Sequence, residues 1–535
     1  MIRARRAVDW RLAALALGLV AALAVFGRIA GTDPDEEYAL ASTAHGLGYA
    51  LHRAFYYELQ APVWFGLVAL WRGLDPSVAF ARLFSILCAT ATCFALRAIA
   101  LRLRPRLDPL PFVALVALNP FFIYAALEVR VYAFAMLLSA LGWIAFYDGY
   151  LAGEDRGARL RFALLALLGI YAFYYLGFAL LGCVAALLVA RRFAALRAFL
   201  IVAASVAFAS VPALLVVRST FADVRAALPP MSGPSPRAFV EPLLLFAMPT
   251  SYRWAEIPAL AALAHGYKIL VVLPALVWLA ARPRLGRPEL AVVAFAAAVW
   301  LAYPLAYAVV HVRFEVPRHY VTLFVPLLAA AYVLLTATAA TWRRIAGGVI
   351  VAAYAGCCVL TLWANYGPGS KAGDMRRAGA FVTAHAAPGD VVAVFAPDAK
   401  PAFERFYTGR ADVFAFPRAA QPERYDTARY VVHSSDEARA ELERLATGRR
   451  VWLVLYGRCR PDSENYGCAN ILDALRARFP GARYTDFYET EVVEIGALRN
   501  RANAGRSPAR GISRSSGETR ASLQKNAALS AMPSA

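Results

Sequence analysis

Charged side chains are scarce in this chain. They make up 17% of its 535 residues, whereas 60% of the residues are hydrophobic. A soluble globular domain carries about 25% charged and about 45–50% apolar residues. Apolar runs of about 20 residues, each long enough to cross a bilayer, recur over the first 365 positions. The shortage of charge therefore excludes an ordinary soluble domain, and we predict a polytopic α-helical membrane protein.

Glycine-rich phosphate loops and metal-binding motifs are also missing from the sequence. Without a phosphate loop, a nucleotide-linked sugar is not expected as a donor. We predict no obligatory metal or other cofactor, with a divalent metal as the alternative. No internal repeat is visible, which disfavours the transporter folds that are built from inverted repeats.

The positive charge of the chain, formally +20 at pH 7, does not indicate nucleic-acid binding. Most arginines fall in short segments between apolar runs, as the positive-inside rule requires, and the rest lie in a basic tail. The arginine-rich segments are 3–11, 97–106, 156–161, 191–197, 282–287 and 343–344. We predict that they face the cytoplasm and that residues 32–77, 218–257 and 364–535 share the other side.

About eleven apolar runs are predicted to span the membrane. They cover residues 12–31, 78–101, 110–126, 132–151, 161–175, 176–190, 198–217, 258–281, 289–310, 321–341 and 345–363. An odd number puts the amino terminus in the cytoplasm and the region after 364 in the periplasm of a bacterial inner membrane. The first run is long for a signal peptide, so we predict an uncleaved anchor.

Short strand-like and helix-like segments alternate after Trp363. Strands are predicted at 391–395, 412–416, 429–433, 451–456, 483–488 and 491–496, and helices at 374–386, 399–408, 435–446 and 469–479. This alternation predicts a small periplasmic α/β domain with a largely parallel sheet, which we expect to help bind an acceptor. The predicted domains are a membrane domain (1–365), the α/β domain (366–498) and a disordered basic tail (499–535).

Two of the seven cysteines, Cys459 and Cys468, flank a polar loop in the predicted outside domain. An oxidising compartment favours a disulfide there, and metal ligation is the weaker alternative. The other five cysteines fall inside apolar runs, where small buried hydrophobes are expected.

Four carboxylates crowd the first outward loop, in the stretch 32–38 (Thr-Asp-Pro-Asp-Glu-Glu-Tyr) that follows the first apolar run. Ionisable groups at membrane depth are rare and are functional candidates by default. Asp35 and Glu36 are therefore the first candidates for chemistry. The alternative is a hydrated acidic loop that only ends the first span.

Further charges stand at the outward ends of later spans. Glu128 and Arg130 lie between two strongly apolar runs, and Arg318 and His319 precede the tenth run. A structural ion pair is the alternative for Glu128 and Arg130, although desolvation of both ions offsets their attraction. Arg130 suits a phosphate because its planar guanidinium matches phosphate oxygens. For Arg82, an interfacial residue that only extends its charge to water is the alternative.

Three segments of the chain resemble the bacterial branch of the dolichyl-phosphate-mannose protein mannosyltransferase family. Its members are type C membrane glycosyltransferases, related to lipid A aminoarabinose transferases. The segments are Asp-Glu-Glu-Tyr at 35–38, Arg-Leu-Phe-Ser at 82–85, and Asn-Pro-Phe-Phe-Ile-Tyr at 119–124 followed by Glu-Val-Arg-Val-Tyr-Ala at 128–133. A weaker match is Arg-His-Tyr at 318–320 with Pro326, where the arginine lies one residue earlier than is usual in the family. The family's His-Pro-Pro is replaced by Gln-Ala-Pro at 60–62.

The resemblance implies a type C fold and transfer of a sugar from a polyprenyl-phosphate donor to a lipid, glycan or protein acceptor. It implies that Asp35 is the general base, with Glu36 as the second catalytic candidate. Positive charge is needed near the departing phosphate, and the candidates are Arg130, Arg318, His319 and Arg82. The residues expected to line the cleft are Glu128, Tyr132 and Tyr320.

Three other functions stay open at the level of the sequence. A transporter or flippase of lipid-linked glycans would place charges in the middle of its spans, whereas here they gather at outward ends. A polymerase or ligase of related fold would use a diphosphate-linked donor. A catalytically inactive relative would act as a scaffold.

Overall fold

The computed structural model describes residues 10–58, 60–227, 285–310, 317–337, 341–366, 373–418, 429–457 and 466–498. Fourteen α-helices of this part precede residue 367. They are α1 (Trp10–Ile29), α2 (Pro34–Ser42), α3 (Leu47–Tyr56), α4 (Pro62–Arg72), α5 (Val78–Leu103), α6 (Leu110–Ala117), α7 (Pro120–Leu127), α8 (Tyr132–Phe146), α9 (Arg156–Ala172), α10 (Phe178–Val189), α11 (Phe193–Ala227), α12 (Arg287–Val310), α13 (Val321–Thr336) and α14 (Thr341–Tyr366).

Seven helical segments of the described residues are long and apolar enough to cross a membrane, or eight if a bent pair counts as one span. A polytopic membrane protein is thereby confirmed. Ten of the eleven predicted spans coincide with a described helix or helix pair, and the eighth (258–281) lies outside the described residues. The fifth and sixth spans are short. They separate at Phe173 and a 3₁₀ turn over Tyr174–Gly177.

The third span differs from the prediction, which treated 110–126 as one run. Helices α6 and α7 meet at an angle of 63°, because Asn119 and Pro120 interrupt the helical hydrogen bonds. The side chain of Asn119 accepts hydrogen bonds from the amides of Phe121 and Phe122. The backbone amides freed at the break therefore have hydrogen-bond partners within the protein, as is required at membrane depth.

The two ends of the helical bundle are formed by different elements. One end holds ion pairs between neighbouring helices, including Arg102 with Asp148 and Arg104 with Glu289. The opposite end holds the start of α5 and the short helices α2, α3 and α4, and α14 leads from it into the carboxy-terminal domain. Helix α4 buries one face, which includes Trp64, Phe65, Val68 and Ala69.

The carboxy-terminal domain has a five-stranded sheet flanked by helices. Its elements are α15 (Met375–His385), β1 (Val391–Phe395), α16 (Lys400–Glu404), β2 (Asp412–Ala415), α17 (Ser435–Ala446), β3 (Val451–Tyr456), α18 (Cys468–Arg478), β4 (Arg483–Phe487) and β5 (Thr490–Ile495). The strand order is β2-β1-β3-β5-β4. Apolar side chains cover both faces of the central strands β1 and β3, so the sheet is the core of the domain.

Two predictions for this domain are wrong. The sheet is mixed rather than largely parallel, because β4 and β5 are joined by a tight turn and both pairings of β5 are antiparallel. Residues 429–433 form no strand. There the backbone of Val432 instead donates to the Tyr466 carbonyl and accepts from the Asn470 side chain. The predicted tail at 499–535 lies outside the described residues.

Candidate active site

Helix α2 carries the acidic cluster and lies at the end of the bundle that also holds α3, α4 and the start of α5. Asp33 caps it by accepting a hydrogen bond from the amide of Glu36, and Pro34 occupies its first turn. Both are residues that start helices. Successive side chains of a helix point about 100° apart. Asp35, Glu36 and Glu37 therefore face different surroundings although they are adjacent in sequence.

Asp35 faces the 3₁₀ turn over Pro317–Tyr320, which precedes α13. Its Oδ2 lies 2.9 Å from Nη2 of Arg318, and about a third of each side chain is exposed (30% for Asp35, 33% for Arg318). The backbone carbonyl of Asp35 accepts a hydrogen bond from Arg130 (3.1 Å). The structure thus brings together Asp35, Arg130 and Arg318, three residues that were selected separately from the sequence.

Glu36 is completely buried and belongs to a different environment. Both of its carboxylate oxygens accept from Arg82 (Nε–Oε1 2.8 Å, Nη2–Oε2 2.7 Å), and Oε1 also accepts from the amide of Val129 (3.1 Å). A carboxylate held in this way is poorly placed to accept a proton from a substrate. These hydrogen bonds connect α2 to α5 and to the segment that follows α7.

Arg82 has all five of its N–H groups engaged inside the protein. Besides Glu36, it donates to the carbonyls of Gly27, Ala30 and Gly31 at the end of α1. These contacts argue against the predicted phosphate-binding role, because a phosphate could be bound only by breaking a buried ion pair. They also argue against the alternative of a snorkelling residue, since the side chain is only 1% exposed.

Glu58, between α3 and α4, is a residue of the site that sequence reasoning missed. Its side chain is buried, accepts from Ser42 Oγ (2.6 Å) and lies 3.4 Å from Nη1 of Arg130. Burial raises the pKa of Glu58, and the neighbouring Asp35 raises it further, while Arg130 and Ser42 oppose the shift. One signal pointed to it. Glu58 is a single acidic residue shortly before the apolar segment that begins at Pro62.

Two polar nitrogen atoms in the described part of the site are buried without a hydrogen-bond partner. They are Nε of Arg130 and Nδ1 of His319. Two tyrosines position His319. Its backbone carbonyl accepts a hydrogen bond from the hydroxyl of Tyr303 (2.9 Å), and its ring lies 5.9 Å from that of Tyr175. Buried polar atoms usually have partners, so these two nitrogens are unsatisfied donors or acceptors of the described site.

The three residues predicted to line a cleft have different roles in the structure. Tyr132 lies beside Arg130 and Arg318, and its ring stacks on Tyr124 at 6.0 Å. The carboxylate of Glu128 interacts with Arg82 instead, and its carbonyl accepts from Ser85 (2.7 Å). Tyr320 is buried and stacks on Tyr303 at 4.4 Å, where it supports the 3₁₀ turn rather than lining a cleft.

No group of three metal-ligating side chains is found within the described ranges. Cys468 is buried at the start of α18 and is disulfide-bonded. Its predicted partner, Cys459, lies outside the described residues, so the pairing stays a prediction. The five cysteines of the apolar runs are buried and free.

Comparison with solved structures gives the class of fold. The chain has the type C membrane glycosyltransferase fold. One similar structure is ArnT from Cupriavidus metallidurans in the apo state, with 14% sequence identity, 90% of this chain and 97% of that chain covered, and a TM-score of 0.50. A second is ArnT from the same organism bound to undecaprenyl phosphate, with the same identity and coverage and a TM-score of 0.48. No protein-family profile and no curated protein sequence matches the chain.

Proposed function

We propose that this chain is a membrane glycosyltransferase that moves a sugar from a polyprenyl-phosphate donor to an acceptor on the non-cytoplasmic side. The observation that carries the proposal is the pairing of Asp35 with Arg318, beside Arg130 and within the same outward cluster. A base and two cations are what transfer from a lipid phosphate needs. The ArnT fold supports this class of reaction. The acceptor class stays open between lipid, glycan and protein.

In the proposed reaction, the oxygen of the acceptor hydroxyl attacks C1 of the sugar. Asp35 takes the proton of that hydroxyl. The bond between C1 and the phosphate oxygen breaks, and its electron pair leaves with the polyprenyl phosphate. The phosphate gains negative charge as it departs, so Arg130 and Arg318 stabilise the transition state more than the bound donor. When Arg318 binds the donor phosphate, it no longer pairs with Asp35. Asp35 then becomes a better proton acceptor, because it has lost its cationic partner.

Glu36 and Arg82 are positioning residues in this proposal. Their buried pair fixes the start of α2 against the ends of α1 and α7, which holds Asp35 facing Arg318. The donor-phosphate site is then formed by Arg130, Arg318 and the ring of His319. Tyr132 closes it on the side of α8.

We expect the variant Arg130→Ala to bind the donor about 10–100-fold more weakly, because it removes a charge-assisted hydrogen bond to phosphate. The measurement is equilibrium binding of a labelled polyprenyl-phosphate sugar to the purified protein. Arg104→Ala is the matched control, since Arg104 also pairs with a glutamate (Arg104–Glu289, 2.9 Å). It lies one residue after the end of α5, roughly 33 Å along that helix from Arg82 at 1.5 Å per residue. Equal loss in both variants would contradict a phosphate site at Arg130.

Glu58 makes donor binding dependent on pH. Its raised pKa means that it gains a proton at a higher pH than an exposed glutamate, and the proton removes a negative charge next to Arg130. Donor affinity of the wild type should therefore rise as the pH falls through the raised pKa of Glu58. We expect donor affinity to change by about 3–30-fold, the effect of one charge at the short distance between Glu58 and Arg130. Glu58→Gln should bind at the low-pH affinity throughout. A pH profile that is identical in wild type and variant would exclude this role.

A further inference from the structure

The carboxy-terminal domain contacts the helix that carries Asp35. Arg405, immediately after α16, donates two hydrogen bonds to the carboxylate of Glu37, one of them from Nη2 to Oε2 at 2.6 Å. The Glu37 side chain is 6% exposed and that of Arg405 37% exposed. A bidentate pair with one buried partner is geometrically specific. It joins α2 to a domain that lies 368 residues further along the chain.

Two more contacts hold the same segment from the same domain. The hydroxyl groups of Tyr38 and Tyr430 lie 3.3 Å apart in a buried hydrogen bond. Arg376, in the first turn of α15, donates to the carbonyl of Ile29 at the end of α1. The carboxy-terminal domain therefore holds the chain on both sides of Asp35, at Ile29 before it and at Glu37 and Tyr38 after it.

Helix α2 needs such contacts because it has only nine residues. Isolated helices shorter than about 12–15 residues are marginal in water, and tertiary packing supplies most of their stability. The direction of Asp35 is therefore set by its neighbours, with Glu36 tied to the membrane domain and Glu37 and Tyr38 tied to the carboxy-terminal domain.

We propose that Arg405 is a positioning residue, through which the carboxy-terminal domain holds α2 and fixes Asp35 opposite Arg318. The inference rests on the proposed function, since it gives the domain a part in the chemical step. It makes the domain necessary for catalysis although Arg405 contacts neither the donor phosphate nor the base. Donor binding is carried by Arg130 and Arg318, so the loss of Arg405 should affect turnover and not donor affinity.

The test combines kinetics with hydrogen exchange on the full-length protein. Arg405→Met should lower kcat about 10–100-fold, the range for misplacement of a catalytic group, with the donor dissociation constant changed less than about 3-fold. The amides of residues 35–42 should exchange about tenfold faster, while those of α17 and β3 keep their rates. Arg405→Lys keeps the charge and should fall between the wild type and Arg405→Met.

Arg478→Met is the matched control. Arg478 is similarly exposed (42%) and pairs with Glu443 inside the same domain, without touching α2. It should keep wild-type kcat and wild-type exchange of α2. The double variant Glu37→Gln/Arg405→Met should lose no more activity than Arg405→Met alone, because both changes break one interaction. If Arg405→Met fails to fold, Glu37→Gln takes its place in both measurements.

The outcomes separate this inference from the proposed function. Wild-type kcat in Arg405→Met, or equal losses in Arg405→Met and Arg478→Met, would overturn the positioning role. Faster exchange spread over the whole domain would overturn it as well. If the wild type transfers no sugar from any polyprenyl-phosphate donor while exchange still changes only in α2, the proposed function is contradicted and the contact between the domain and α2 is supported.

Discussion

Replacing Asp35 with asparagine should lower the rate of sugar transfer by about 10²–10⁴-fold, the usual contribution of a general base. The asparagine would keep the shape of the side chain and its hydrogen bonds but would not accept a proton. Donor binding should survive, since Arg130 and Arg318 stay in place. Removing the negative partner of Arg318 should make donor binding equal to that of the wild type or tighter. The measurement is turnover of a labelled polyprenyl-phosphate sugar, with binding measured in parallel.

Asp75→Asn is the control for Asp35→Asn. Asp75 lies at the same end of the bundle, just before α5, and is exposed. Its carboxylate accepts a hydrogen bond from the amide of Ser77. It should turn over at the wild-type rate. A thermal-unfolding measurement must show that Asp35→Asn is folded. Wild-type turnover in Asp35→Asn would remove the base from this position, and Glu58 would become the next candidate because its carboxylate lies beside Arg130.

Replacing Arg82 with methionine should destabilise the protein by about 3–5 kcal/mol, the effect of removing one partner from a buried ion pair. Glu36 would be left with a buried charge, and the carbonyls of Gly27, Ala30 and Gly31 would lose their donor. We expect a strong drop in the unfolding temperature in detergent and poor recovery from membranes.

The exposed pair Arg161–Asp155 provides the comparison for this stability effect. Arg161→Met should change stability by less than about 1 kcal/mol, as surface pairs do. A stable Arg82→Met protein with weakened donor binding would restore Arg82 as a phosphate ligand and would contradict the positioning role given to it here.

Hydropathy and charge predicted most of the membrane domain. The spans follow from long apolar runs, and the arginines between them predict which ends face outward. The break in the third span was not predicted, because a proline within an apolar run is compatible with either a kink or a helix start. In α7 the Asn119 cap decides between them.

Sequence reasoning selected the right region of the site but not the role of each charge. Asp35 and Glu36 are adjacent and chemically similar, and only the phase of a nine-residue helix separates the exposed carboxylate from the buried one. Which arginine each carboxylate meets depends on packing between distant elements. Arg82 lies 46 residues from Glu36, and no sequence pattern records that contact.

The carboxy-terminal domain shows the same division between local and long-range information. The strand segments around Val391 and Val451 were predicted because short continuous apolar runs are local signals. The direction of β5 was not, since it depends on the hairpin with β4 and on pairing with β3. Arg405 and Glu37 are charged residues in different domains, and nothing in the sequence pairs them. Their contact follows only from the folded structure.

The central claim is that this chain transfers a sugar from a polyprenyl-phosphate donor and that Asp35 provides the base. The most direct test incubates the purified protein with radiolabelled polyprenyl-phosphate hexose or pentose, with and without membrane lipid acceptors, beside Asp35→Asn. We predict label in an acceptor with the wild type only, and loss of at least 10²-fold in the variant. No transfer from either donor by a folded, donor-binding wild type, or equal transfer by both proteins, would contradict the claim.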